Sequence, residues 1–417
     1  MSDTNLVKTQ NRWLVVIAAI IMELALGALY MWGGAFVGKI ETMSGWDSQS
    51  AQLPFSVGVI AFALMVIIAG RYKDKIGTRN LLLLSASIMG GGYILGGLLP
   101  VSPLVTTLTI GAIAGAGSGL AYALPVSVGT KWFPDKKGLV VGLSMAGFGV
   151  GSLIWIYAAD PLFNFLSIGQ IWILYGICYA IMIGFSYFFL YDPPKGYTVP
   201  GWEPQAASGG TSIDAVDITG REMLFTRQFV FIFITFMIGA AAGLMVIGIA
   251  KVWPSDVLRA AGLSEAESTA AALFAAAAVY PLFNGLGRIG YGALNDRIGW
   301  KKSMLIMNGS QAIFMFLSLL LVSNPITLWI VMAILAANYG GNFSLFPTAT
   351  DNLWGNKNLA ANYGLVFFAY GIGGLLGPNI GGIFRKAGQQ EIAIILSGIM
   401  LMFSVILIWF TEKPTKN

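Results

Sequence analysis

Twelve successive apolar runs, each near the ~20 residues that a helix needs to cross the hydrocarbon core of a bilayer, dominate this chain. They lie at about 13–37, 50–70, 80–100, 103–129, a fifth ending at Asp160-Pro161, 168–191, 228–250, 264–294, 303–322, 326–353, 359–384 and 391–410. Composition points the same way: only 10% of the 417 residues are charged, against about 25% in a soluble protein. The expected fold class is all-α and integral to a membrane, with twelve transmembrane helices. The first run follows Asn11-Arg12-Trp13 without a small-residue cleavage site, so residues 1–12 read as a short tail and not as a removed signal peptide.

Charge placement orients the chain. Of its 24 Lys and Arg, 18 fall in the tails and in the loops after runs 2, 4, 6, 8 and 10. Five (Lys39, Lys251, Arg259, Arg385, Lys386) fall on the opposite side, and the last is Arg288. This positive-inside bias predicts a multi-pass protein of the cell (plasma or inner) membrane with both termini in the cytoplasm. The net charge of +5 is then topological and implies no nucleic-acid partner. A single cysteine, Cys178, allows no internal disulfide. With no histidine either, a Cys/His metal site and a His-based hydrolase triad are excluded, and no cofactor is called for. A membrane enzyme is disfavoured because no paired catalytic constellation is present.

The chain repeats itself. The loop Gly70-Arg71-Tyr72-Lys73-Asp74-Lys75-Ile76-Gly77-Thr78-Arg79 recurs as Gly292-Ala293-Leu294-Asn295-Asp296-Arg297-Ile298-Gly299-Trp300-Lys301, 222 residues later. The same offset aligns Gly119 with Gly341, Pro125 with Pro347, Trp132 with Trp354, Gly142 with Gly364 and Gly149 with Gly371. The expected domains are a six-helix bundle at 1–191, a cytoplasmic linker at 192–226 rich in Pro, Gly and acids, and a second bundle at 227–417. Arg221-Glu222-Met223-Leu224-Phe225 at the linker's end is expected to form a short interfacial helix. Ser264-x-x-Glu267 has the capping-box spacing that marks the start of the eighth helix. Runs such as Gly90-Gly91-Gly92 and Gly115-Ala116-Gly117-Ser118-Gly119 lie inside membrane segments and are read as close helix packing, not as dinucleotide loops.

Two six-helix units of this kind form parallel repeats about an axis along the membrane normal. The doubled G-x3-D-[KR]-x-G-x-[KR] loop resembles the signature of the major facilitator superfamily, and the resemblance covers the whole chain. A finer resemblance, to the oxalate/formate antiporter family and related bacterial lactate transporters, rests on several motifs together. These are Asn11-Arg12-Trp13, Tyr30-x-Trp32, Lys131-Trp132-Phe133-Pro134-Asp135-Lys136-Lys137-Gly138-Leu139, Arg221-Glu222-Met223-Leu224, Leu345-Phe346-Pro347 and Asn362-Tyr363-Gly364. The resemblance implies a monomeric secondary transporter of a small carboxylate anion whose two halves rock about a central site. Its doubled loops, with Asp74, Arg79, Asp296 and Lys301, would act in gating.

Function is expected where the repeat breaks. Arg288 is the only charge between Glu267 and Asp296, and its burial in lipid costs roughly 2.5 kcal/mol or far more without a partner. Under the 222 offset Asn284 and Arg288 fall on Phe62 and Val66, so this polar pair exists in the second half alone. Being i and i+4, the two share a helix face, and Pro281 stands one turn before them, able to kink the helix. An anion there could accept two bonds from the guanidinium fork and a third from the Asn284 amide. The alternatives are an ion pair with a carboxylate on another helix, or membership of the gating charges near Asp296, about 12 Å away along the helix.

Tyr30, Trp32, Tyr122, Tyr339, Phe343, Tyr363 and Tyr370 are candidates to frame the cavity, against the alternative of belt or packing aromatics. The resemblance places Tyr122 and Tyr339 near substrate. It also implies a lysine where this chain has Tyr370, in members that exchange oxalate. One cation matches one negative charge, because a second carboxylate would be buried unpaired at several kcal/mol. The expected substrate is a monocarboxylate such as lactate, pyruvate, glycolate or formate, with a proton as co-substrate; the alternatives are carboxylate exchange, or a transporter of the same fold for an unrelated solute such as a drug, sugar or nitrate. Glu23, the other intramembrane charge, is either a proton carrier or a carboxyl that bridges helices, and Asp160 is a further acid near the outer end. Arg385 and Lys386 are expected either to draw anions into an outer vestibule or to flank the membrane. The sequon Asn342-Phe343-Ser344 lies within a membrane run and is not expected to be glycosylated.

Overall fold

The structure is a computed structural model that describes residues 11–32, 36–194, 196–199, 217–250 and 252–414. Among the described residues, twelve helices are long and apolar enough to cross a membrane. They are α1 (Arg12–Tyr30), α2 (Ser50–Ile76), α3 (Thr78–Leu98), α4 (Pro103–Trp132), α5 (Lys137–Leu162), α6 (Ile168–Ser186), α7 (Arg227–Ile249), α8 (Glu265–Ile298), α9 (Trp300–Leu321), α10 (Pro325–Trp354), α11 (Leu359–Arg385) and α12 (Gln390–Trp409). The chain is a multi-pass membrane protein. Most of the expected linker, together with Lys251, lies outside the described residues; its last stretch forms the short helix Gly220–Leu224, capped by a Thr219/Glu222 box.

Helix ends follow local chemistry. Ser264 and Glu267 form a capping box at the start of α8, and Ser167 with Gln170 does the same for α6. The two repeated loops turn at equivalent glycines, Gly77 (φ +85°) and Gly299 (φ +83°), in a left-handed region that a Cβ disfavours. Pro281 removes an amide donor from α8, and the turns before it, Ala275–Val279, open into a π-helical segment.

The duplication is visible in the packing. Within the first half α1 lies on α5, α2 on α4 and α3 on α6; in the second α7 lies on α11, α8 on α10 and α9 on α12. Across the halves α8 packs on α5 and α2 on α11, contacts that the repeat exchanges. Glycines carry these crossings: a Cβ on Gly292 would collide with the Gly138 carbonyl, and one on the equivalent Gly70 with the Ala360 carbonyl. Gly142 sits against the backbone of Arg288, and Gly364 likewise against Val66, so the backbone matches at 288 and 66 while the side chains differ. The glycine runs also pack helices: Gly117 meets Met89, and Gly119 meets Phe62.

A cavity of about 1480 Å³ opens between the halves on the side away from the termini. Its walls carry Lys39, Asp160 and Arg385 near the mouth, and Tyr30, Gly149, Tyr280 and Asn284 at the floor. The side bearing the termini is closed by contacts between the halves. Lys137 and Asp351 pair at 2.6 Å, and the Asp296 carboxylate accepts from the backbone N–H groups of Gly138 and Leu139, both at 2.8 Å.

Candidate functional site

Below the cavity floor lies a sealed polar cluster centred on Arg288. At 34 residues, α8 is about 51 Å long, and Arg288 sits ten residues, about 15 Å, from its Ile298 end. The side chain is fully buried. Its Nε donates to Asn284 Oδ1 at 3.1 Å, and its Nη1 donates across the halves to the Met145 carbonyl of α5 at 2.8 Å. The third nitrogen, Nη2, makes no hydrogen bond. Two rings flank the guanidinium, Phe343 from α10 at 4.1 Å and Phe148 from α5 at 5.5 Å to their centroids, placing it for cation–π attraction.

Neither structural alternative for Arg288 describes these contacts. Among the described residues no carboxylate oxygen lies within 4.0 Å of it. Asp296, about 12 Å further along α8, is instead engaged by the start of α5.

Around Arg288 stands a set of buried polar atoms without a hydrogen bond of good geometry: both carboxyl oxygens of Glu23 and the hydroxyls of Tyr122, Tyr363 and Tyr370, of which Tyr122 and Tyr363 face each other. Glu23, Tyr122 and Tyr363 lie within electrostatic range of Arg288. Tyr370 touches Phe343 and Phe367 at centroid distances of 5.5 and 5.0 Å, and Tyr122 packs on Phe62, Phe148 and Phe367. Leaving a buried polar group unpaired costs about 1–3 kcal/mol. A concentration of such groups about one cation suits a ligand that supplies acceptors.

The framing aromatics divide between two compartments. Tyr30 lines the open cavity, whereas Tyr122, Tyr339, Phe343, Tyr363 and Tyr370 are buried beneath its floor. The Tyr30 and Tyr339 hydroxyls, one from each half, meet at 3.4 Å, and Tyr280 donates to the Gly243 carbonyl at 3.2 Å. These contacts separate cavity from cluster, while Asn284 touches both.

Trp32 does not belong to the cluster. Its indole N–H donates to the Ala51 carbonyl at 2.8 Å, and its ring stacks on Phe36 and Trp172, a packing role within the first half. Asp160 forms an exposed pair with Lys39 at 3.7 Å in the cavity wall, so it does not face Arg288. Arg385 is exposed in the same wall near the mouth. Of the repeated-loop residues, Asp296 alone bonds across the halves: Arg79 stacks on Tyr187 and Tyr191 in its own half, and Asp74 is exposed.

Four residues at these contacts were not singled out from sequence. Phe148 and the Met145 carbonyl bring the first half to Arg288, and Lys137 with Asp351 closes the termini side. An aromatic inside the glycine-rich stretch Met145-Ala146-Gly147-Phe148-Gly149 was a signal for the first. Nothing in the local sequence pairs Lys137 with Asp351, 214 residues apart.

Known proteins resemble this chain along nearly its whole length. It is 28% identical to the "Uncharacterized MFS-type transporter YhjX" of Escherichia coli, over 90% of this chain and 88% of that one. It is 25% identical to the "Oxalate:formate antiporter" of Oxalobacter formigenes, over 98% and 94%. Among solved structures, the proton:xylose symporter XylE superposes with a TM-score of 0.67 at 13% identity, over 95% of each chain, which speaks for the fold alone. The pattern of the Major Facilitator Superfamily matches residues 9–378 and again 252–417. Twelve helices in two matched halves, a cavity between them and that match assign this transporter chain to the Major Facilitator Superfamily.

Proposed function

We propose that the protein transports small monocarboxylates of the lactate, pyruvate, glycolate or formate type by alternating access, with Arg288 as the carboxylate anchor. The observation that carries this reading is the fully buried guanidinium with one nitrogen unbonded, no carboxylate of the described residues within 4.0 Å, and buried phenols around it. A carboxylate would bond Nη2 and compete with Met145 or Asn284 for a second nitrogen, while a phenol donates to its other oxygen. The anion would enter the wide cavity, pass the Tyr30–Tyr339 contact, and reach a site that either half can wall off. The similarity to an oxalate:formate antiporter supports a carboxylate as cargo. Tyr370 at the position where oxalate-exchanging members of the family resembled carry lysine supports one charge over two. Transport would draw on a co-transported proton or on exchange against an internal anion, with a single chain as the unit and both termini in the cytoplasm.

Counterflow of labelled lactate in liposomes tests the reading. Unlabelled monocarboxylates should compete and oxalate should not. Arg288→Gln should weaken lactate binding by roughly 3 kcal/mol or more, above 100-fold, from the loss of charge-assisted bonds. Counterflow unaffected by Arg288→Gln, or specific for a neutral solute, would defeat it.

A further inference from the structure

The Asn11-Arg12-Trp13 motif at the start of α1 has no part in the site around Arg288, yet it is firmly engaged. Asn11 caps α1 by accepting from the Trp13 N–H at 3.0 Å. The Arg12 fork donates to both carboxylate oxygens of Asp135, Nη1 at 2.6 Å and Nη2 at 3.0 Å, and its guanidinium lies 4.3 Å from the centroid of the Phe133 ring. Trp13 meets Phe133 edge-on at 5.0 Å. The start of α1 thus holds the turn that joins α4 to α5. The first turn of α5 follows at once. Its N-cap, Lys136, supplies no side-chain acceptor, so the Gly138 and Leu139 N–H groups, which a cap would satisfy, go to Asp296 of the second half at 2.8 Å each. Asp135 therefore stands one residue before the N-cap, a carboxylate beside a helix N-terminus that does not use it.

We infer that Arg12 is a positioning residue for closure of the termini side: it withholds Asp135 from the first turn of α5 and so reserves the Gly138 and Leu139 N–H groups for Asp296. This rests on the reading of two rocking halves and not on the cargo. A helix N-terminus attracts carboxylates through its free N–H groups and its dipole. Two acids compete for this one, Asp135 from the same half and Asp296 from the other. Asp135 is tethered within three residues of the N–H groups, whereas Asp296 arrives only when the halves close, so proximity favours Asp135 wherever it is free. The bidentate bond to Arg12 removes it from that competition. The pair is only partly exposed, 23% at Arg12 and 13% at Asp135, so solvent screens it less than an open surface pair. The repeat supports the assignment. In the second half, 222 residues on, Arg12 and Asp135 become Ile234 and Lys357, and the Lys357 N–H bonds to Asp217 of the linker at 3.2 Å. There Asp74, the counterpart of Asp296, makes no hydrogen bond among the described residues. The withheld acid occurs in the half whose helix start is latched, and is missing from the half whose helix start is not.

Distances between spin labels at Lys75→Cys and Lys302→Cys, exposed positions on the termini side of opposite halves, read closure in the full chain on a Cys178→Ser background. Arg12→Ala frees the Asp135 carboxylate and should raise the long-distance population about 2–30-fold, the range that loss of a helix cap gives. Asp135→Ala breaks the same ion pair without freeing an acid. It should leave the population at its wild-type value, and Arg12→Ala/Asp135→Ala should return to that value. If Arg12 merely stiffened the turn, all three variants would open alike. Opening by Asp135→Ala would therefore overturn the inference, and this holds even if Arg12→Ala fails to fold. In an Asp296→Ala background Arg12→Ala should add no further opening, because the N–H groups then have no partner across the halves to lose; additive effects would also overturn it. A single short distance in every variant, Asp296→Ala included, would instead overturn the reading of two rocking halves and this inference with it.

Discussion

At the scale of single residues, the structure gives Asn284 a different part from the one its spacing suggests. The i and i+4 placement brings it to Arg288 as expected, but its Oδ1 accepts from Nε, which fixes the plane of the guanidinium instead of reaching past it. It also forms part of the cavity floor. Asn284→Leu keeps the volume and removes the acceptor, so the fork loses orientation while its charge stays. A bond to a charged donor is worth about 1.5–3 kcal/mol, and the half-saturation concentration for lactate counterflow should rise about 10–100-fold. An unchanged value would mean that the two rings hold the guanidinium without it. Arg288 and Asn284 were legible because a charge in an apolar run needs an explanation that sequence alone can demand. Trp32 was not, since an indole in a membrane run satisfies its N–H equally well at a cavity wall or, as here, on the Ala51 carbonyl.

Elements show what duplication keeps and what it discards. Hydropathy located every membrane helix to within a few residues at most ends, because leaving water is a property of the segment itself. A break in helix regularity at Pro281 was legible for a similar local reason, though its form, a π-helical segment at Ala275–Val279, was not. Contacts between α5 and α8 were not, since hydropathy shows that a face is buried and not what buries it. There the two halves differ. Gly70 and Gly292 make equivalent backbone contacts, yet Asp296 caps the start of α5 with two accepted bonds while Asp74, its counterpart, is exposed and makes none among the described residues. A carboxylate at a helix N-terminus is favoured by the free N–H groups and the helix dipole there. The carboxylate latch on the termini side therefore sits at the α5–α8 crossing, with the Lys137–Asp351 pair and a bond from the Asn356 amide to the Thr130 hydroxyl at 3.1 Å beside it. Asp296→Ala should lose about 0.5–2 kcal/mol of that closure, shifting the open-to-closed ratio about 2–30-fold, and Asp74→Ala should shift it far less. Spin labels at Lys136→Cys and Lys302→Cys, one on each half, would read the ratio as a growing long-distance population. Equal effects of the two alanines would refute the one-sided latch.

For the molecule as a whole, the repeat and charge placement implied two rocking halves but could not say which side stands open. Both packings are built from the same helices and differ by only a few kcal/mol, spread over contacts between residues distant in sequence. The conformer described opens away from the termini, with Ser56 of the first half and Ala277 of the second both lining the cavity. The positive-inside bias predicts that this cavity faces outward. In a Cys178→Ser background, a membrane-impermeant thiol reagent added to intact cells should then label Ser56→Cys and Ala277→Cys, and should leave Lys302→Cys untouched. Labelling of Lys302→Cys alone would reverse the orientation. Adding lactate together with acid should slow labelling of both cavity cysteines, because an anion beside Arg288 with Glu23 protonated leaves an uncharged site for the halves to close around, and a ligand shifts a two-state equilibrium only by its differential affinity. Lactate at alkaline pH should protect less, since an ionised Glu23 would oppose the anion's entry beside Arg288. Protection that ignores pH would separate anion binding from Glu23 and leave closure to the carboxylate alone.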